Sequence, residues 1–120
     1  MKKKITIPLP PSVNTLYLFN PRTHQKIYKQ SVRDYYEVNT LQLRAWAKRH
    51  FVSPVSEMAY FDLDFYLGSK NADAHNYLKV VCDLFQKADL VENDKYMMNR
   101  IQSIQYDKEN PRVEITWLAP

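Results

Sequence analysis

Met58-Ala59-Tyr60-Phe61-Asp62-Leu63-Asp64-Phe65-Tyr66-Leu67 alternates with a period of two residues. Ala59, Phe61, Leu63, Phe65 and Leu67 take one side, and Tyr60, Asp62, Asp64 and Tyr66 take the other. Successive side chains of a strand point to opposite faces, so this stretch reads as a strand with one apolar and one wet face. Gly68 to Ala72 breaks the pattern as a loop. From Asp73 or His75 to about Ala88 the spacing becomes that of a helix. Tyr77, Val80, Val81, Leu84, Phe85 and Ala88 make a stripe for the core, while Lys79, Asp83 and Lys87 recur four residues apart on the other side.

Upstream, Ser31 reads as an N-cap with Asp34 as its capping-box acid, opening a helix that runs to about Phe51. Val32, Tyr35, Tyr36, Leu41 (or Val38), Leu43 and Trp46 give that helix an apolar side, and Ser53-Pro54 ends it. Short strands are predicted over residues 5–9, 16–19 and 26–29, the last two joined by a turn at Asn20-Pro21-Arg22. Two final strands are predicted over residues 101–106 and 112–117, with a turn at Lys108-Glu109-Asn110-Pro111. The order is strands, helix, strand, helix, strands. It predicts one α+β domain over residues 1–120, with a mixed β-sheet and two main helices.

Composition narrows the function. Of 120 residues, 45% are apolar and 13% aromatic, enough for a packed core. No apolar run approaches the roughly 18 residues of a membrane span, so the reading is a soluble, cytoplasmic protein with no membrane partner. The single glycine, Gly68, cannot build a dinucleotide turn, a phosphate loop or a nucleophile elbow, so no nucleotide cofactor is expected. Cys82 is alone, which excludes a disulfide framework, and His24, His50 and His75 are too far apart for a zinc helix. An enzyme of this composition has carboxylates, lysines and a metal ion to work with. The net charge of +4 permits nucleic-acid binding without establishing it. The basic cluster Arg44, Lys48, Arg49 and His50 is also what a helix C-terminus favours.

Chemistry concentrates in Lys70-Asn71-Ala72-Asp73-Ala74-His75-Asn76-Tyr77-Leu78-Lys79. Asp73 and His75 stand two apart at a strand-to-helix junction, and Lys79 lies about one helical turn beyond His75. Capping alone is the commoner role of an Asp at such a place. A second acidic segment, Val91-Glu92-Asn93-Asp94-Lys95, could bring Asp94 back toward Asp73 if the chain reverses after the helix. Asp62 and Asp64 read as the wet face of a half-exposed sheet.

Three pieces together resemble the RusA-type Holliday-junction resolvases, small endonucleases of bacteria and their prophages. Pro10-Pro11-Ser12-Val13-Asn14 is similar to the family's P-P-S-x-N loop. Asp73-Ala74-His75-Asn76-Tyr77-Leu78-Lys79 is similar to its D-x-D-N-x-x-K box. Glu92-Asn93-Asp94 falls where the family has a D-D pair, 21 residues after the first aspartate. The resemblance implies a RusA-like fold and Mg²⁺-dependent hydrolysis of DNA phosphodiesters at four-way or branched junctions by a homodimer. It implies Asp73, His75 and Asp94 as metal-site residues, and Asp73, His75, Lys79 and Asp94 as the catalytic set, with Asn76 at the box asparagine. His75 departs from the family, which usually has a second aspartate there. Imidazole suits Mn²⁺ better than Mg²⁺. Three roles stay open for His75: a ligand shifting preference toward Mn²⁺, a general base, or the mark of a weakened site that Asp64 partly restores. The competing functions are a junction-binding protein of the same fold without cleavage, and a small protein-interaction domain.

Overall fold

The computed structural model describes residues 1–120. Strand β1 (Lys2–Pro8) leads into a loop and a 3-10 turn (Val13–Thr15). Strands β2 (Tyr17–Asn20) and β3 (Gln25–Tyr28) form a separate two-stranded hairpin. Helix α1 (Gln30–Arg49), strand β4 (Ala59–Leu67), helix α2 (Leu78–Lys87) and strands β5 (Met97–Tyr106) and β6 (Arg112–Leu118) follow. The main sheet has the order β1-β6-β4-β5, with β4 and β5 parallel and the other pairs antiparallel. This is the mixed-sheet α+β architecture that the order of strands and helices along the sequence predicts. No helix is long and apolar enough to cross a membrane.

The period-two reading of β4 holds residue by residue. Phe61, Leu63, Phe65 and Leu67 are fully buried, and Asp62, Asp64 and Tyr66 are half-buried on the other face. The α2 stripe Val80, Val81, Leu84, Phe85 and Ala88 closes over the buried face. Phe61 meets Phe85 edge-on at 5.8 Å and stacks on Trp117 at 5.8 Å. On the opposite face Arg100 donates to both oxygens of Asp62, at 2.7 and 3.1 Å, and its guanidinium lies over the Tyr60 ring. The hydrogen bonds from Arg100 hold the Asp62 carboxyl below its ordinary pKa.

Helix α1 differs from the sequence reading at its start. Its N-cap is Lys29, with no side-chain cap, rather than Ser31. Lys29 is already tied to the hairpin through its N–H to Leu16 O at 3.0 Å, so the helix begins as the strand lets go. Asp34 takes a hydrogen bond from Gln30 Nε2 instead of closing a capping box. The buried stripe is Val32, Tyr36, Asn39 and Leu43. Leu41 is 61% exposed, because nine residues beyond Val32 at about 100° each put it on the opposite side of the helix. Buried Asn39 is satisfied by donating to Tyr35 O at 2.9 Å.

The scarcity of glycine shows in the backbone. Gly68 has no positive φ; a Cβ there would meet Pro111 Cγ at 3.3 Å, so close approach is what suits a glycine. The left-handed positions fall on His24, Phe51 and Asp89. After α1, Val52 N–H bonds Ala47 O at 2.9 Å around Phe51, at φ 53°, the six-to-one bond of a Schellman ending. Asp89, at φ 58°, does the same after α2, where Leu90 N–H bonds Phe85 O at 3.0 Å. Glycine prefers these positions. Phe51→Gly is therefore expected to raise stability by about 0.5–1 kcal/mol in urea unfolding, since Phe51 is 92% exposed and loses no packing.

Candidate active site

Asp73 caps the 3-10 turn Ala74–Tyr77 that opens onto α2, its Oδ1 accepting from His75 N–H at 3.0 Å. The capping role is thus real, and it leaves the second carboxylate oxygen free. Asp73 and the His75 side chain are exposed. Ser12 caps the turn Val13–Thr15 by accepting from Asn14 N–H at 3.2 Å, and that turn packs against Ala74–Tyr77. The fold thereby joins the Pro10–Asn14 segment to the Asp73 box.

Lys79 stands in the first turn of α2. Its Nζ meets Asp83 Oδ2 at 3.2 Å, and the Tyr36 hydroxyl donates to that same oxygen at 3.2 Å. The bond to Asp83 raises the Lys79 pKa above its ordinary value, so the side chain is a fixed cation at neutral pH. Burial, and then Asp83, push the Tyr36 phenol well above its usual range, so it stays a neutral donor. Tyr28 packs on Tyr36 at 5.8 Å between ring centres, and Tyr17 stacks on Tyr28 at 5.0 Å. Asp83 and these tyrosines are neighbours of Lys79 that the sequence reading did not single out as site residues. The i,i+4 spacing of Lys79 and Asp83 carried the signal for the first. Nothing local signals the tyrosines, which arrive from the hairpin and α1.

Asp94 begins the 3-10 turn Asp94–Tyr96, capped by Asn93. Its N–H donates to Gln86 Oε1 at 2.9 Å. Its negative charge reaches Cys82, whose thiol is pushed up chiefly by burial and further by Asp94 and Asp83. The chain therefore does reverse and lay Asp94 alongside α2. It does not gather Asp73, His75 and Asp94 into a preformed cage: no three His, Cys, Asp or Glu side chains lie close enough together to hold a metal ion by themselves. Asp64 cannot supply the missing carboxylate. It faces away from α2 and accepts from Ser103 Oγ at 2.6 Å. A cavity of about 630 Å³ on that open side of the sheet, lined by Lys2, Tyr60, Asp62 and Arg100 among others, contains none of the box residues.

The donor chemistry nonetheless fits a hard cation. The Asp94 carboxylate makes no hydrogen bond or ion pair with the chain, and Asp73 keeps one oxygen free. Mg²⁺ commonly takes only one or two carboxylates, and completes its shell with water and substrate phosphate.

A family model described as endodeoxyribonuclease RusA matches residues 15–117, most of the chain. The chain belongs to the RusA family. The match spans the Asp73 box, Lys79, Asp83 and Asp94, and begins just after the Pro10–Asn14 segment. No curated protein matches the chain. Membership of an endodeoxyribonuclease family places the RusA-like α+β domain among DNA-cleaving proteins rather than protein-interaction domains.

Proposed function

We propose that the chain is a divalent-metal-dependent endodeoxyribonuclease that cuts four-way DNA junctions as a homodimer. The observation that carries this reading is the RusA match across Asp73, Lys79 and Asp94, where Asp73 keeps one carboxylate oxygen free, the Asp94 carboxylate is unpaired and Lys79 is held by Asp83. Asp73 and Asp94 would hold the ion, with His75 beside Asp73 as a further ligand or proton acceptor. When bound, the ion supplies an acidified water and neutralises charge on the phosphate.

Lys79 supplies the second positive charge. Its pair with Asp83 is half-exposed, and such pairs are worth only about 0–1 kcal/mol, so an incoming phosphate can take the ammonium at small cost. Asp83 and Tyr36 act as positioning residues that keep Nζ near the box between substrates. A four-way junction has two-fold symmetry, and a C₂ dimer would present two identical sites to opposed strands.

His75 decides the metal. Wild type is expected to nick a labelled four-way junction better with Mn²⁺ than with Mg²⁺, and His75→Asp is expected to move the preference to Mg²⁺ by about tenfold. Identical metal preference and pH profile in the two proteins would remove His75 as both ligand and base. The alternative reading is junction binding without cleavage, which the histidine at position 75 in place of a family aspartate favours. It predicts intact DNA with either ion while junction binding persists.

A further inference from the structure

The β2–β3 hairpin pairs with no other strand. Every residue of its two strands is exposed except half-buried Tyr28. A lone hairpin is marginal in water, and this one is held at its base by buried Leu16, by the Lys29–Leu16 hydrogen bond and by Arg33 Nε donating to Tyr28 O at 3.2 Å. It nevertheless displays Leu18 at 52%, Phe19 at 59% and Ile27 at 43% exposure. The packing of the domain does not account for that display.

Register separates its two faces. Tyr17 lies opposite Tyr28 and Phe19 opposite Lys26, while Leu18 lies opposite Ile27 and Asn20 opposite Gln25. Cross-strand partners share a face, so one face reads Tyr28, Tyr17, Lys26, Phe19 and the other Ile27, Leu18, Gln25, Asn20. The first is a continuous aromatic and cationic row. Tyr17 and Tyr28 stack at 11° between planes, Lys26 Nζ stands 6.0 Å from the Tyr17 ring centre, and the His24 ring lies 6.2 Å from Phe19. The row starts at the candidate site, because Tyr28 packs on Tyr36, whose hydroxyl bonds the same Asp83 oxygen that holds Lys79.

Charge points to the partner. Residues 1–33 hold seven Lys and Arg and no Asp or Glu, whereas the remainder of the chain holds ten Lys and Arg against thirteen Asp and Glu. The excess positive charge therefore lies in residues 1–33, divided between Lys2, Lys3 and Lys4 on β1 and four cations in and beside the hairpin. Aromatic faces interleaved with cations are how single-stranded nucleic acid is held without sequence readout: bases stack and phosphates pair with Lys or Arg. A protein partner would find the same exposed rings, but residues 16–33, the hairpin and its flanks, carry Arg22, Lys26, Lys29 and Arg33 with no Asp or Glu, a charge that selects a polyanion.

We propose that the Tyr28–Tyr17–Lys26–Phe19 face of the hairpin is a stacking platform for unpaired nucleotides at the branch point of DNA, leading the adjoining phosphate toward Lys79. The assignment rests on the nuclease reading above and adds to it the element that takes the bases. Phe19 stacks on an unpaired base, Lys26 meets the backbone, and the Tyr17–Tyr28 pair carries the strand to the site. The opposite Leu18 face takes no part.

The test is junction binding in EDTA, where no cutting occurs, measured by fluorescence anisotropy for wild type, Phe19→Ala and Leu18→Ala. Both substitutions remove an exposed side chain from the same strand, so they control for each other's effect on folding. Phe19→Ala is expected to weaken four-way-junction binding about tenfold and linear-duplex binding far less. Leu18→Ala is expected to stay within about twofold of wild type, as a face without stacking contacts should. A 2-aminopurine at the branch point should change its fluorescence on binding wild type and not on binding Phe19→Ala. Wild-type affinity in Phe19→Ala, an equal loss in Leu18→Ala, or a loss that sedimentation traces to a changed oligomeric state would each overturn the proposal. If wild type itself shows no preference for branched over linear DNA, the nuclease reading falls with it. A wild type and a Phe19→Ala that both prefer junctions equally would overturn only the hairpin assignment.

Discussion

Asp73→Asn is expected to bind four-way junctions as wild type does and to lose nicking by about 10³-fold or more. Removing one preorganised charge-stabilising group typically costs about 10²–10³ in rate, and a lost metal ligand costs the acidified water as well. The fold should survive, for a specific reason. Asp73 Oδ1 accepts from His75 N–H, and asparagine caps helical turns about as well as aspartate does. The substitution therefore removes a charge and a hard oxygen donor while keeping the cap. Binding should hold or tighten slightly, because a negative charge beside the phosphate is gone. Asp94→Asn should behave alike, since its backbone N–H bond to Gln86 does not involve the carboxylate. Single-turnover nicking, junction affinity and a melting curve on each variant separate these effects. Full nicking by Asp73→Asn would move the reaction away from this box.

Phe61→Ala is expected to cost about 3–5 kcal/mol of stability. A domain of this kind has only about 5–15 kcal/mol in total, so the variant should be close to unfolding. Phe61 has no exposed surface, sits on the central strand between β5 and β6, and contacts both Phe85 and Trp117. Truncation would leave a cavity bounded by two rings that cannot collapse onto it. Leu41→Ala removes a side chain of similar apolarity from the exposed side of α1 and is expected to stay within about 0.5 kcal/mol. Urea unfolding of the two variants checks both values. Equal losses would mean that the faces of β4 and α1 are misassigned.

These pairs also show what could be read before the fold was known. Phe61 and its alternating neighbours declared the central strand, and Val80, Val81, Leu84 and Phe85 declared the helix that covers it, because periodicity is a local property. Leu41 misled because apolarity counts for less than angular position, and buried Asn39 took a place in the stripe by hydrogen-bonding its own helix. The start of α1 was hidden because Lys29 is held by Leu16 across the hairpin, a contact between distant residues. Asp73 and Lys79 lie in one segment, so the sequence offers them together as candidates. Asp83 lies one turn from Lys79 in the same helix and its spacing offers the pair, but the Tyr36 hydroxyl that bonds the same oxygen, 47 residues away, has no local signal. The placement of Asp94 depends on the parallel crossover from β4 through α2 to β5, which no local pattern encodes.

The most direct test is a synthetic four-way junction, labelled on each strand in turn and incubated with wild-type protein and Mg²⁺ or Mn²⁺. Paired nicks at symmetric positions on two opposed strands, absent from linear duplex of the same sequence, are the expected result. Uncut junction with both ions, or equal nicking of junction and linear duplex, would contradict a metal-dependent junction endonuclease built on Asp73, Lys79 and Asp94.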